Sequence, residues 1–401
     1  MVDIAVDIFN YIFTVILIGV FLTWISLTRS MYKSFTRTPY LDKFENSVNQ
    51  TPKVSIILPA RNEEKFIGRC LESFVKQDYT NYEIITVDDS SDDNTWNIIE
   101  KYAKSSEKVV PVKASIKPDG WMGKNWACME GYKKASGDLL LFTDADTVHT
   151  SSVISLAVSH LLSLELDALT VIPRMLCLDR ITKITLPMIS TFLHTRFSAL
   201  RVNDTSKNTG YFFGSFFIMK KSTYDSVGTH ESVKSELVED GALGKKVKES
   251  DFKMRMVRGE HLIDAVWARD SFTLWNALKR LMIPLYLQNA KIAVASFFGV
   301  LFLLFMPFPI LGYSVIFSSD SSLVLFVISC IASSLVYLGG MLDAVKGLDL
   351  KLRYSLFAPV GGFIVACGFL AGLIQAKSKT AVSWRGRTYH MKGQVQKSIN
   401  V

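Results

Sequence analysis

Four long stretches carry no charged side chain: residues 9–27, 292–317, 322–342 and 354–376. An α-helix needs about 20 mostly apolar residues to cross a bilayer's hydrocarbon core, and there every backbone polar group has to be satisfied within the segment. These runs therefore commit part of the chain to membrane helices. Between the first and second lies a mixed polar and apolar region, residues 50–290, so the 401 residues divide into one substantial water-soluble domain and the membrane segments around it.

Lysine and arginine give the orientation. Nothing basic precedes the first run, whereas Arg29, Lys33, Arg37 and Lys43 follow it. That places the N-terminus outside and the soluble domain at the cytoplasmic face. A cleaved signal peptide is the other reading of residues 1–27, but the positive n-region and a small-residue cleavage site are both missing. The loop 343–353 and the tail 377–401 are both basic and both suit the inside, which conflicts with a single crossing by residues 354–376. Either that glycine-rich run is a re-entrant hairpin, or Pro307 and Pro309 split residues 292–317 into one.

The five cysteines, Cys70, Cys128, Cys177, Cys330 and Cys367, are scattered and form no CxxC pair, which argues against a disulfide frame or structural zinc and fits a reducing compartment. The net charge of +8 is accounted for by basic flanks facing anionic headgroups. No interleaving of aromatic and basic residues points to nucleic acid.

Within the soluble region apolar runs alternate with helical spacing. Val54–Leu58 is a β-branched run ended by Pro59, and residues 63–77 place Phe66, Ile67, Cys70, Leu71 and Phe74 on one helical side. "YEIITVDDSSDDNT" repeats the pattern with a helix over 95–104, "VVPVKA" is a third strand, "NWACMEGYKKA" a helix and "DLLLFTDAD" a fourth strand. This alternation predicts an α/β layer on a mostly parallel sheet. Ligands of such sheets sit beyond the carboxyl ends of the strands. Three strand ends are polar there: Arg61–Glu63, Asp88-Asp89, and Asp144 with Asp146. Paired carboxylates at such an edge suit a divalent cation that takes its remaining oxygens from a substrate's phosphates. Lys124, at a predicted helix start, adds positive charge for the same phosphates. Neither GxxxxGK[ST] nor GxGxxG occurs.

Each residue also has a plainer role. Asp92 and Asp93 read as turn and cap residues. Glu239-Asp240 reads equally as the acidic first turn of a helix over 240–249. His149 is either near a metal or a solvated loop residue, His261 is as open, and Trp121 and Trp126 are either packing or stacking platforms. Residues 210–228 form an aromatic strand and turn that either line an acceptor or fill the core. In residues 271–290, Leu274, Leu278, Leu281 and Leu285 share a helical face, which suits an interfacial helix on the inner leaflet or a core helix of the soluble domain.

"VSIILPARNEE", "ITVDDSSDDNT", "GKNWACMEGYKKASGDLLLFTDAD" and "LVEDGALG" resemble, in that order, the motifs of family 2 glycosyltransferases of GT-A fold. Among them the chain looks most like membrane-bound members of the ceramide glucosyltransferase, hopanoid-associated and carotenoid glycosyltransferase type, and "VSWRGRTYH" resembles their W-x-G-R-x-Y ending. The resemblance covers roughly residues 52–290 and that tail.

It implies a layout of an N-terminal membrane helix and basic linker (1–50), a catalytic domain (51–270), an interfacial helix (271–290), membrane segments (291–376) and a basic tail (377–401). It implies that Pro59, Ala60, Arg61, Glu63, Asp88, Asp89, Lys124 and Asp144 bind a nucleotide-sugar donor. Asp144 and Asp146 would hold Mg²⁺ or Mn²⁺, and Asp240, next to Glu239, would be the general base. The Q-x-x-R-W motif of processive members is missing; Trp275, Lys279, Arg280, Trp384 and Arg387 are candidate substitutes on the acceptor or diphosphate side. The expected activity is inverting transfer of a single sugar, with UDP as nucleotide, to a membrane lipid at the cytoplasmic face. Polyprenyl-phosphate sugar synthesis, processive polymer synthesis and a non-catalytic scaffold are the alternatives. A transporter is disfavoured by the lack of charge at mid-membrane.

Overall fold

The structure is a computed structural model that describes residues 2–43, 50–317, 321–378, 381–384 and 387–390. A long helix α1 (Val2–Arg37) is followed by β1 (Val54–Ala60), α2 (Ile67–Val75), β2 (Tyr82–Asp88), α3 (Thr95–Ser105), β3 (Val109–Lys113), α4 (Gly123–Tyr132), β4 (Leu139–Phe142) and β5 (Thr147–His149). Then come α5 (Val153–Ser163), β6 (Ala168–Ile172), β7 (Arg174–Cys177), α6 (Arg180–Phe197), α7 (Ala199–Val202), β8 (Phe217–Lys220), α8 (Lys221–Ser226), α9 (Glu239–Glu249), β9 (Met254–Arg258) and β10 (Ile263–Ala268). The remainder is α10 (Ser271–Gln288), α11 (Ala290–Leu304), α12 (Pro307–Ile316), α13 (Ser322–Leu342), α14 (Ala358–Ser378) and the hairpin β11 (Ala381–Trp384) with β12 (Arg387–His390).

The chain forms two compact units. The sheet unit comprises Thr38–Leu176, Ala199–Trp267 and the β11–β12 hairpin; the helical unit comprises α1, Cys177–Ser198 and the stretch from Ala268 through α14.

The main sheet of the first unit has the order β3-β2-β1-β4-β8-β6-β9. Strands β3, β2, β1 and β4 are parallel, and β8 runs antiparallel between β4 and β6. All of β1 is buried, as expected of a strand covered on both faces, whose sequence is then near-continuously apolar. Alternation divides its residues between two cores. Ile56 and Leu58 pack with Cys70, Leu71 and Phe74 of α2, while Ile57 packs with Phe142, Phe217 and Leu243.

Strand β1 runs on through Pro59 to Ala60, beyond the end that proline suggests. The β1–β4 ladder stops at Ile57 opposite Phe142, so the missing N–H of Pro59 faces no partner strand on that flank. Pro111 is likewise tolerated because β3 is an edge strand. A second, smaller sheet has the order β5-β10-β7.

In the helical unit, α1 turns Val15 (69 % exposed) and Leu22 (58 %) outward, an apolar face suited to lipid. By length and composition Val6–Arg37, Ser322–Gly347 and Leu352–Lys377 can each cross a membrane. Helices α11 and α12 together make a further candidate span bent by 60°. The break falls just before Pro307, the first residue of α12, where a proline needs no N–H partner. Trp24 Nε1 of α1 donates to Leu303 O of α11 at 2.8 Å, and the rings of Phe13 and Tyr313 meet edge to face at 5.9 Å.

Candidate active site

The strand registers bring the acids of the sheet unit to one edge. Ala60 pairs with Asp88, and Phe142 sits opposite Ile57, so Asp89 and Asp144 both emerge past the carboxyl ends of their strands. Because β8 is antiparallel, the residues entering it, Gly214 and Ser215, arrive at the same edge. Hydroxyls shape the turn after β4: Thr143 Oγ1 donates to Ser215 O and Thr147 Oγ1 to Asp144 O, each at 2.8 Å. Asp144 and Asp146 are half-buried on either side of buried Ala145.

Two helix N-termini complete the cluster. Asn125, in the first turn of α4, is buried and donates through Nδ2 to Val233 O at 2.7 Å and to Glu236 O at 3.2 Å. Met122 N donates to Lys234 O at 2.7 Å. These bonds tie the start of α4 to the segment leading into α9. Lys124 Nζ consequently bridges Asp144 Oδ1 at 2.7 Å and Glu239 Oε1 at 2.6 Å. Glu239 is only 5 % exposed. Asp240 accepts from Gly214 N at 2.8 Å through Oδ2 and from Gly241 N at 2.7 Å through Oδ1. The acidic-first-turn reading and the site reading of Glu239-Asp240 thus describe the same residues.

The charges act on one another. Burial alone would lower the Lys124 ammonium, but Asp144, Glu239 and Asp240 outweigh it and hold it well above its ordinary range. Burial, then the carboxylate of Glu239, push Asp240 up to about 7, with Lys124 opposing. The Asp240 carboxyl is thus held well above the ordinary carboxylate range.

The donor set, two carboxylates on one turn, suits a hard divalent cation, and a glycine leaves room beside one of them. A Cβ on Gly214 would lie 2.8 Å from Asp240 Oδ2, 3.0 Å from Lys124 Nζ and 3.1 Å from Asp144 Oδ2. Among the described residues no group of three or more His, Cys, Asp or Glu is placed to hold a metal by itself. A cation on Asp144 and Asp146 would complete its shell with water or substrate oxygens, as Mg²⁺ commonly does.

A second corner lies after β2. Arg61 Nη1 donates to Asp89 O and Ser90 O at 2.5 Å each, tying the end of β1 to the end of β2. Asn62, with φ 54°, and Ser91 close the same corner through Asn62 N to Ser91 Oγ at 3.0 Å. Glu63 is buried, and its N–H donates to Thr95 Oγ1 at 2.8 Å. Asp93 accepts from Thr95 N at 3.0 Å and Glu64 N at 3.1 Å, while Asp92 is 82 % exposed, so both are turn residues. Asp88 is 5 % exposed and its Oδ1 has no hydrogen-bond partner among the described residues. Asp89, by contrast, is ion-paired with Arg387 of β12.

Several expectations need revision. Arg387, expected on the acceptor or diphosphate side, lies against the β2 corner and the start of α4. His149 is neither a metal neighbour nor solvated. It is buried in β5 against the ring of Phe74 at 4.2 Å, and burial lowers its pKa to about 3. His261 pairs with Asp42 at 2.9 Å. Trp121 and Trp126 are buried and pack edge to face at 5.1 Å, with Trp126 Nε1 donating to Ser115 O at 3.0 Å. Of residues 210–228, Phe212, Phe216 and Phe217 belong to the core. Trp275, Lys279 and Arg280 lie on α10 of the helical unit. The side chain of Trp384 is outside the described residues.

Gly214, Asn125 and Tyr389 were not singled out by sequence. Their signals are slight: a small residue inside the aromatic run "GYFFGSFF", an amide after the helix-start lysine, and the last aromatic of the tail motif.

A mostly parallel sheet with acids at its carboxyl edge and an antiparallel strand beside the D-x-D turn defines an α/β protein of GT-A fold. Residues 55–228 match the family model described as glycosyl transferase family 2, and the chain carries a domain of that family. The 4,4'-diaponeurosporenoate glycosyltransferase of Staphylococcus haemolyticus is 24 % identical over 61 % of this chain and 63 % of its own. Its counterpart in Staphylococcus aureus is 30 % identical over 48 % of this chain and 50 % of its own. The chain therefore spans about half to under two thirds of the length of these relatives. Among solved structures, a mannosyltransferase of Pyrobaculum calidifontis in complex with GDP-Man and Mn²⁺ superposes with a TM-score of 0.54 at 14 % identity, covering 91 % of this chain and 99 % of that one, a likeness of fold.

Proposed function

We propose that this chain is an inverting glycosyltransferase that moves a single sugar from a nucleotide-diphosphate sugar to a membrane lipid at the cytoplasmic face. The observation that carries the reading is the cluster at the sheet edge: Asp144 joined to Glu239 by Lys124, with Asp240 beside them. Sugar transfer needs charge stabilisation for a departing diphosphate and a base for a weakly nucleophilic hydroxyl, and this edge offers both.

Asp144 and Asp146 are the residues that would hold Mg²⁺ or Mn²⁺, which supplies Lewis-acid stabilisation of the leaving diphosphate when bound. Lys124 and the first turn of α4 contribute positive charge for the same phosphates. Asp240, titrating near 7, accepts the proton of the acceptor hydroxyl, an effect of roughly 10²–10⁴-fold. A base acting opposite the leaving group inverts the anomeric carbon. A lipid acceptor is supported by apolar helices in the same chain and by relatives named for the carotenoid acid diaponeurosporenoate. A uridine nucleotide is the first donor to test.

The test is transfer of labelled sugar from a panel of nucleotide sugars to a native lipid extract by the purified full chain, with Asp240→Asn alongside. The variant should bind nucleoside diphosphate like the wild type and transfer no sugar. Wild-type turnover by Asp240→Asn overturns the base assignment and points to an acceptor that arrives already ionised, as a carboxylate does. No transfer by the wild type from any donor favours a scaffold.

A further inference from the structure

The hairpin that follows α14 returns to the sheet unit, and its contacts fall on two elements of the donor corner. Arg387 Nη1 pairs with Asp89 Oδ2, and Nη2 reaches Asp89 O at 3.5 Å. One guanidinium fork thus holds both the carboxylate and the main chain of a residue 4 % exposed. Tyr389 Oη accepts from Gly123 N at 3.2 Å, at the first residue of α4 and next to Lys124. The three groups converge so closely that a Cβ on Gly123 would lie 2.8 Å from each of Arg387 Nη1, Asp89 Oδ2 and Tyr389 Oη. A residue with any side chain there would push the hairpin off.

We infer that Arg387 and Tyr389 are positioning residues of the nucleotide site: the hairpin clamps the corner after β2 to the first turn of α4 and so sets the gap in which a nucleoside diphosphate lies. The inference rests on the nucleotide-sugar reading above. Neither residue needs to touch the reacting atoms. Arg387 acts through Asp89, and Tyr389 through the α4 N-terminus that carries Lys124 towards Asp144. Two features favour a role in binding over one in stability alone. Among the described residues the polar contacts of Arg387 and Tyr389 join the two donor-side elements. The neighbouring Asp88 keeps a buried carboxylate oxygen without a partner among the described residues, an acceptor left for a ligand. Lysine is a poor replacement for Arg387, because an ammonium cannot span carboxylate and carbonyl as a fork does.

The experiment measures binding of UDP and of GDP, each with and without Mn²⁺, by calorimetry on the full chain in detergent. It compares the wild type with Arg387→Ala, Arg387→Lys, Tyr389→Phe and the double variant Asp89→Asn/Arg387→Ala, and records thermal unfolding of each. Arg387→Ala should weaken binding of the preferred nucleotide by at least about tenfold, with Arg387→Lys in between. The double variant should lose little more than Arg387→Ala alone, since the two residues act as a unit. Millimolar guanidinium should restore part of the binding of Arg387→Ala, which a general loss of folding does not allow. In turnover the donor KM should rise with kcat nearly unchanged. Unchanged nucleotide binding in all variants, with a lowered unfolding temperature, overturns the inference and leaves the hairpin a structural strap. A wild type that binds neither nucleotide overturns both this inference and the reading it rests on.

Discussion

The main-chain N–H of Gly214 donates to Oδ2 of Asp240 at 2.8 Å, joining the strand that enters the sheet backwards to the first turn of α9. Gly214 is thereby a wall of the site as well as a donor. A methyl group at this position would press on Asp240, Lys124 and Asp144 together, at 2.8–3.1 Å. Gly214→Ala should therefore lower kcat/KM by about 100-fold, the scale of misplacing reacting groups by about an ångström. Its unfolding temperature should change little, because the methyl group meets charged side-chain ends and not the packed core. Steady-state kinetics beside a thermal melt check this; near wild-type kinetics would show that the space against Asp240 is not used.

Lys124 carries a different cost. Its ammonium compensates Asp144 and buried Glu239 at once, so Lys124→Met strands like charges. Breaking a buried pair costs roughly 3–5 kcal/mol, and Asp144 is 36 % exposed and partly screened, so about 3 kcal/mol is the expected loss. Removing the lysine also frees an oxygen of Asp144 for a divalent ion. Mn²⁺ should consequently raise the unfolding temperature of Lys124→Met more than that of the wild type, and chelation should reverse the gain. Equal shifts in the two proteins would argue against Asp144 as a ligand.

Much of this site was legible because its residues are anchored locally. Asp88, Asp89, Asp144 and Asp146 follow strands whose apolar runs announce themselves, and parallel pairing leaves their carboxyl ends on one edge. What was not legible depends on distant pairing. Nothing local to "GYFFGSFF" reveals that β8 inserts antiparallel beside β4 and delivers Gly214 to Asp240. The burial of His149 depends on Phe74 and Phe216, far from it in the chain. The Arg387–Asp89 pair joins residues 298 apart in the chain, and a basic tail motif by itself does not say which acid it meets.

Asp240 makes the pH dependence of the metal-free protein predictable in sign. Its carboxyl is raised to about 7 in the fold, against about 3.9 when unfolded. Between those values the folded state binds the proton more tightly, so this group's contribution to stability is full below about 4 and is lost as pH rises towards 7. The difference in unfolding free energy between wild type and Asp240→Asn, measured with chelator present, should therefore fall over that window and level off above it. In the wild type the rising limb of kcat/KM should sit lower than 7 once a cation on Asp144 and Asp146 favours the ionised form of Asp240. A stability difference that is flat from pH 4 to 8 would place Asp240 in a more solvated setting than the structure gives it.

The order of contacts in the helical unit shows which of its helices run the same way. Asn10 of α1 donates to Ser321 at the start of α13 at 2.9 Å, and Phe35, near the end of α1, lies against Gly347 just beyond α13. The two helices therefore run the same way. The bent pair α11–α12 runs the other way, with Leu303 at Trp24 and Tyr313 at Phe13. Three passes alternate, and α13 finishes on the side where α1 finishes. Helix α10 leads directly into α11 in the chain. The later half of α14 lies along it, Gly368 meeting Leu278 and Gly372 meeting Lys279. The hairpin after α14 belongs to the sheet unit, which is also entered from the end of α1. The basic stretches on either side of α14 predict that the chain leaves the apolar layer on the side where it entered, although the length of α14 would allow a crossing. This layout puts the basic stretch around Lys346, Lys351 and Arg353 and the hairpin on one side, removing the charge conflict that a fourth crossing creates. In a cysteine-free background, Lys351→Cys and Thr388→Cys should both resist a membrane-impermeant maleimide in intact cells and react after permeabilisation, while Ile4→Cys reacts in intact cells. Labelling of Thr388→Cys from outside would mean that α14 spans the bilayer.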